Sequence, residues 1–110
     1  MIPPAEVLAL DALVASAPDG ITSRVLAKTG GGNLTLFAFD RGQALTEHTS
    51  PFDAMVMVLE GAMTLTIGGV PIRAEPGTIV RMPASVPHAV EAVEASRMLL
   101  IMLREAAPPG

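Results

Sequence analysis

The chain has 110 residues, half of them apolar, which is enough for one domain with a modest core and too apolar for a disordered segment. It has no cysteine, so disulfide frameworks, thiolate metal sites and cysteine nucleophiles are all excluded. A net charge of −4, seven scattered Lys and Arg, and no Trp or Tyr leave neither a basic face for phosphates nor stacking platforms for bases.

The chain opens with a segment that predicts a helix. Pro3-Pro4 suits a helix start, Val7, Leu10 and Val14 fall on one face beside Leu13, and Ala17-Pro18-Asp19-Gly20 stops it. Residues 1–20 are therefore expected to be a short helix and linker docked over a sheet. From residue 21 the period changes to two. Strands are expected at about 21–28, 33–40, 44–50, 54–59, 62–67, 70–74, 78–82, 88–93 and 97–103. Compact turn signals separate them, among them Gly30-Gly31-Gly32, Glu60-Gly61, Gly68-Gly69 and the stretch from Pro83 to Pro87. Short, evenly spaced strands indicate an all-β sandwich or barrel over residues 21–105, with a flexible tail at 106–110.

No apolar run reaches the ~20 residues needed to cross a bilayer. No basic segment precedes an apolar core at the N-terminus, so no secretory leader is read and the cytoplasm is the expected compartment. Several strands are apolar on both faces: Leu34 and Leu36 alternate with Phe37 and Phe39, and Met55 and Met57 with Val56 and Val58. A small barrel has one inside, so the apolar outer face must meet the N-terminal segment, a second subunit, or both. The expectation is a homodimer packed sheet against sheet, with no nucleic-acid or membrane partner.

Gly42 to Gly61 reads GQALTEHTSPFDAMVMVLEG, and it resembles the first cupin motif. In that motif a Gly is followed after five residues by His-x-His, then by a Glu or Gln, then by a Gly that closes a hairpin. Gly77 to His88 reads GTIVRMPASVPH and resembles the second: Gly, five residues, Pro-x-Gly, two residues, His. Gly77, Pro83 and His88 fall in place, and Ser85 stands where the second Gly usually does. The resemblance implies a double-stranded β-helix jelly roll of the RmlC-like kind. It also implies a site inside the barrel where, in metal-binding cupins, four side chains meet at one divalent ion. Here Ser50 stands at the second His position, Ala54 at the Glu or Gln position, and Ala92 where an Asn often follows the last His.

His48 and His88, the only two histidines, therefore remain of that ligand set. The expected pocket contains His48, Ser50, Ala54, His88 and Met82. Asp53 is the nearest carboxylate; a bulge at Pro51-Phe52 would turn it inward and complete a two-His, one-carboxylate site of the kind that suits Fe, Mn, Zn or Ni. Otherwise Asp53 is a turn residue accepting backbone N–H groups. Glu47 is expected to be solvated, and Arg81 clamps a carboxylate only if it faces in. Three functions follow from these readings. The first is a small-molecule-binding barrel centred on His48 and His88. The second is a metal-dependent oxygenase or isomerase completed by Asp53 or water, and the third is a structural or interaction dimer with a filled barrel. No residue is assigned a catalytic role.

Overall fold

The computed structural model describes residues 1–104. Nine strands follow in order: β1 (Ile21–Thr29), β2 (Gly32–Phe39), β3 (Ala44–His48), β4 (Asp53–Glu60), β5 (Met63–Ile67), β6 (Val70–Ala74), β7 (Ile79–Met82), β8 (His88–Ala92) and β9 (Ser96–Leu103). Each expected strand is present, with β3 ending two residues early. The strands form two antiparallel sheets in the orders β1-β2-β9-β4-β7 and β3-β8-β5-β6. The expected tail at 106–110 lies outside the described residues. No helix among the described residues is long and apolar enough to cross a membrane.

The core lies between the two sheets. Phe39, Val56, Val58 and Met98 from the larger sheet meet Met63, Leu65, Val90 and Ala92 from the smaller one. Alternation then places Leu34, Leu36, Leu99, Ile101, Met55 and Met57 on the outer face of the larger sheet. Turn chemistry sets the hairpins. Gly61 closes the β4–β5 connection at φ 79°, and a Cβ there would overlap the Ala95 carbonyl oxygen and the Ser96 hydroxyl. Only Gly fits that corner.

The expected N-terminal helix is corrected by the structure: only a 3-10 turn, Leu10–Ala12, forms. Its carbonyls have other partners. The Arg24 and Arg97 guanidiniums donate to the carbonyls of Leu13 and Val14, and the Thr22 hydroxyl donates to that of Ala15. A helix of a dozen residues is marginal alone, and these tertiary bonds compete with its ladder. The segment lies instead as an irregular strap. Ile2, Leu13 and Val14 join a second apolar cluster with Leu26, Leu36, Ala38, Leu59 and Leu99. Val7 and Leu10, expected on the docked face, are exposed.

Candidate functional site

His48 is the last residue of β3 and His88 the first of β8, and the two are directly opposite in the ladder. Opposed residues of an antiparallel pair share a face, so the register brings both rings to the same point. The register is irregular between Leu45 and His48, upstream of the Pro51-Phe52 kink where a bulge was expected. The rings meet edge to face with centroids 4.3 Å apart, and their Nε2 atoms are 3.0 Å from one another. His88 is buried at 4% exposure, whereas His48 is exposed, so the pair runs from the rim to the interior.

The other ring nitrogens decide what this contact is. His48 Nδ1 lies 2.8 Å from the Thr46 carbonyl oxygen and His88 Nδ1 lies 3.2 Å from that of Val86. A carbonyl only accepts, so these two contacts place a ring proton on each Nδ1. The two Nε2 atoms then face one another, and their 3.0 Å contact is a hydrogen bond only with a proton between them. Such a pair is closed by something electron-poor placed at the contact: a proton, the O–H or N–H of a guest, or a cation.

A cavity of ≈ 30 Å³ adjoins the pair, lined by Leu45, Ala54, Met82, Met98, Leu100 and Met102 among others. That is about the volume one water occupies in the liquid. Ala54 lies on β4 with Met82 of β7 and Met102 of β9 as its two register partners, so two methionines flank the position where metal-binding cupins carry Glu or Gln. Larger hollows lie elsewhere: ≈ 290 Å³ beside Phe52 and Arg104, ≈ 240 Å³ along β1, β2 and β9, and ≈ 360 Å³ between the strap and Glu60.

His48, Ala54, Met82 and His88 line this cavity, and Ser50 is not among its lining residues. Because β3 stops at His48, alternation no longer carries residue 50 inward. The Ser50 hydroxyl accepts the Phe52 N–H, and its carbonyl accepts the Ser85 N–H at 2.7 Å. Asp53 takes the turn role that was weighed against ligation. Its carboxylate accepts the Ala84 N–H at 2.8 Å and an N–H of Arg81 at 2.9 Å. The Ala84 bond, then Arg81, holds the Asp53 carboxyl below its ordinary value. Ser50 and Asp53 together fasten the Pro83–Pro87 loop that delivers His88. Ser85 in that loop has φ 64°, the left-handed conformation for which the motif's usual Gly is suited. Arg81 is exposed, paired with Asp53 and with no place in the cavity, and Glu47 is exposed as expected.

Among the described residues no group of three or more His, Cys, Asp or Glu converges. Two nitrogens and an apolar wall are a poor fit for a hard divalent cation, which needs oxygen or further nitrogen ligands. Met98 and Met102 also line the cavity and were not among the expected pocket residues; β9 is apolar on both faces, so its sequence alone does not give the phase that turns them inward with Leu100.

Comparison with known proteins follows the same lines. A conserved protein of unknown function from Streptococcus pyogenes is 40% identical, with a TM-score of 0.90 over 96% of this chain and 93% of that one. A cupin superfamily protein from Desulfitobacterium hafniense is 25% identical, with a TM-score of 0.88 over 94% and 95%. KdgF from Halomonas sp. is 26% identical, with a TM-score of 0.71 over 83% and 86%. Comparison with curated proteins gives no match. Residues 35–103, from β2 through both histidines to the end of β9, match the family described as the cupin domain, and the chain belongs to that family.

Proposed function

We propose that the protein is a cytoplasmic binding module that holds one small, electron-poor guest on His48 and His88, rather than a divalent-metal oxygenase or isomerase. The observation that carries this reading is the pair of facing Nε2 atoms 3.0 Å apart, with both Nδ1 positions already bonded to carbonyls. The guest presents an O–H, an N–H or a positive charge to the pair and a compact apolar body to the methionine wall. The cavity restricts it to very few atoms unless the flexible Met side chains swing aside.

The test is a thermal-shift screen of small hydrogen-bond donors against the wild type and His48→Leu/His88→Leu. A guest at a hundred times its Kd stabilises by about 2.7 kcal/mol, a shift of roughly 10 °C for a domain of this size. Shifts confined to the wild type support the reading, and equal shifts in the variant overturn it.

A second reading, a structural dimer with a filled barrel, is favoured by the small cavity and by the outer face of the larger sheet. The strap covers Leu36 and Leu99, while Leu34, Ile79 and Leu103 stay exposed beside half-buried Met55, Met57 and Ile101. That uncovered row is where a second copy would pack, so a homodimer belongs to either reading.

A further inference from the structure

We infer that Arg97 is a second binding site, under the strap on the outer face of the larger sheet, for the carboxylate of a small monocarboxylic acid with a short apolar body. It involves neither histidine and stands independently of the guest proposed for them.

Arg97 belongs to the outward phase of β9, where the strap crosses the sheet. A guanidinium carries five N–H donors in one plane. Here Nη1 donates to Glu60 Oε2 at 2.7 Å, and Nη2 donates to the Val14 carbonyl of the strap at 3.3 Å, long for such a bond. Nε is buried and has no partner among the described residues. The Nε–H and one N–H of Nη2 are parallel, and together they form the side-on fork that matches the two oxygens of a carboxylate. The strap offers that fork a single carbonyl oxygen, which meets one donor and leaves the other without an acceptor. Buried donors in that condition are rare, and a carboxylate would satisfy both at once. Glu60 does not block it, because Nη1 is on the side of the group away from the Nε–H.

Space adjoins the same group. A hollow of ≈ 50 Å³ is lined by Arg97, Glu60, Ser16, Ala38 and Ala95 among others. One water takes about 30 Å³, so a carboxylate head has room there. The hollow of ≈ 360 Å³ between the strap and Glu60 shares Arg97 and Glu60 with it, and adds Ala9, Leu10 and Leu59 as an apolar wall for the body of the molecule. Charge narrows the class further. Asp11 and Glu60 both border the larger hollow, so a second carboxylate on the ligand would meet two groups of its own sign. An acid that takes both donors of the fork also displaces the Val14 carbonyl from Nη2, so its binding loosens the strap.

The experiment is a calorimetric titration of the full chain with butyrate, beside butyramide as the uncharged match and succinate as the dicarboxylate. Amide exchange over residues 1–15 is followed at saturation. The expected result is one butyrate per chain, with butyramide and succinate at least tenfold weaker and the strap amides exchanging faster when butyrate is bound. Arg97→Lys keeps the charge and removes the fork, and should weaken butyrate at least tenfold. Ser16→Leu, at an exposed strap residue that lines the smaller hollow, should weaken it as much while leaving Arg97 and Glu60 in place, so the result does not hang on a variant that loses its fold. His48→Leu/His88→Leu should bind butyrate as the wild type does.

A wild type that binds no butyrate overturns the inference and leaves the smaller hollow to water. Butyramide binding as tightly as butyrate, or affinity indifferent to both Arg97→Lys and Ser16→Leu, overturns it as well. Butyrate lost in the histidine variant and kept in Arg97→Lys would also overturn it, and would assign the acid to the histidine pair.

Discussion

Replacing both histidines at once should make the metal-free protein more stable. With a proton on each Nδ1 and none between the rings, the buried His88 Nε2 faces a second acceptor, and an unsatisfied buried polar atom costs about 1–3 kcal/mol. His48→Leu/His88→Leu removes that atom and places an apolar side chain of similar size against Val90, Met98 and Leu100. Against this stand two lost bonds, to the carbonyls of Thr46 and Val86, worth about 0.5–1.5 kcal/mol each. Thr46 is exposed, so its carbonyl turns to water and the loss falls at the low end. The balance is a gain of about 0.5 kcal/mol, or roughly 2 °C in Tm. The assay is denaturant unfolding with linear extrapolation at pH 8 in metal-free buffer, with a melt alongside. A variant less stable than the wild type by more than about 1 kcal/mol would refute the reasoning, because the pair would then belong to the scaffold. A more stable variant that no longer binds a guest would show stability given up for function.

Ser85→Gly relieves a left-handed residue while keeping the Ser50 bond, and should stabilise by about 0.5–1 kcal/mol; an unchanged melt would count against strain at that position. The Asp53 carboxyl sits below its ordinary value of 3.8, so its contribution is complete above that pH and disappears as the pH falls through the lower folded value. Asp53→Asn should therefore flatten the acid limb of the stability profile below about pH 4, and a limb identical to the wild type's would remove the loop clamp from consideration. Ile79→Glu, on the uncovered row, should shift the protein from dimer to monomer in light scattering without lowering the monomer's own stability; a wild-type monomer would dispose of the interface.

The strands were legible because alternation and glycine turns are local signals. β9 is the exception, apolar on both faces from Met98 to Leu103, and its inward phase of Ser96, Met98, Leu100 and Met102 comes from its pairing with β2 and β4. His48 and His88 were legible because their motif positions fall on paired strand ends. The N-terminal segment misled because its apolar spacing and composition favour a helix. The competitors for its carbonyls are Thr22, Arg24 and Arg97, and the last is more than eighty positions away from Leu13 and Val14. Ser50 misled because the alternation that placed it was extended past the end of β3, which only the pairing with β8 defines. For Asp53 both roles were visible. The choice depended on Ala84 and Arg81, which come to it through the β4–β7 register.

The strap has a consequence for how the molecule comes apart. Its one regular backbone tie at the start is the Ile2 N–H on the Leu26 carbonyl, and further along it is held by side chains reaching from the sheet. None of those ties belongs to the ladders that hold the two sheets. The segment can therefore lift as its own cooperative unit while the barrel stays closed. Lifting it bares Leu36, Ala38 and Leu99, which continue the row already open at Leu34 and Ile101. The species most prone to self-association is then a nearly native barrel with its strap raised, and amide exchange over residues 1–15 reports its population long before the barrel melts.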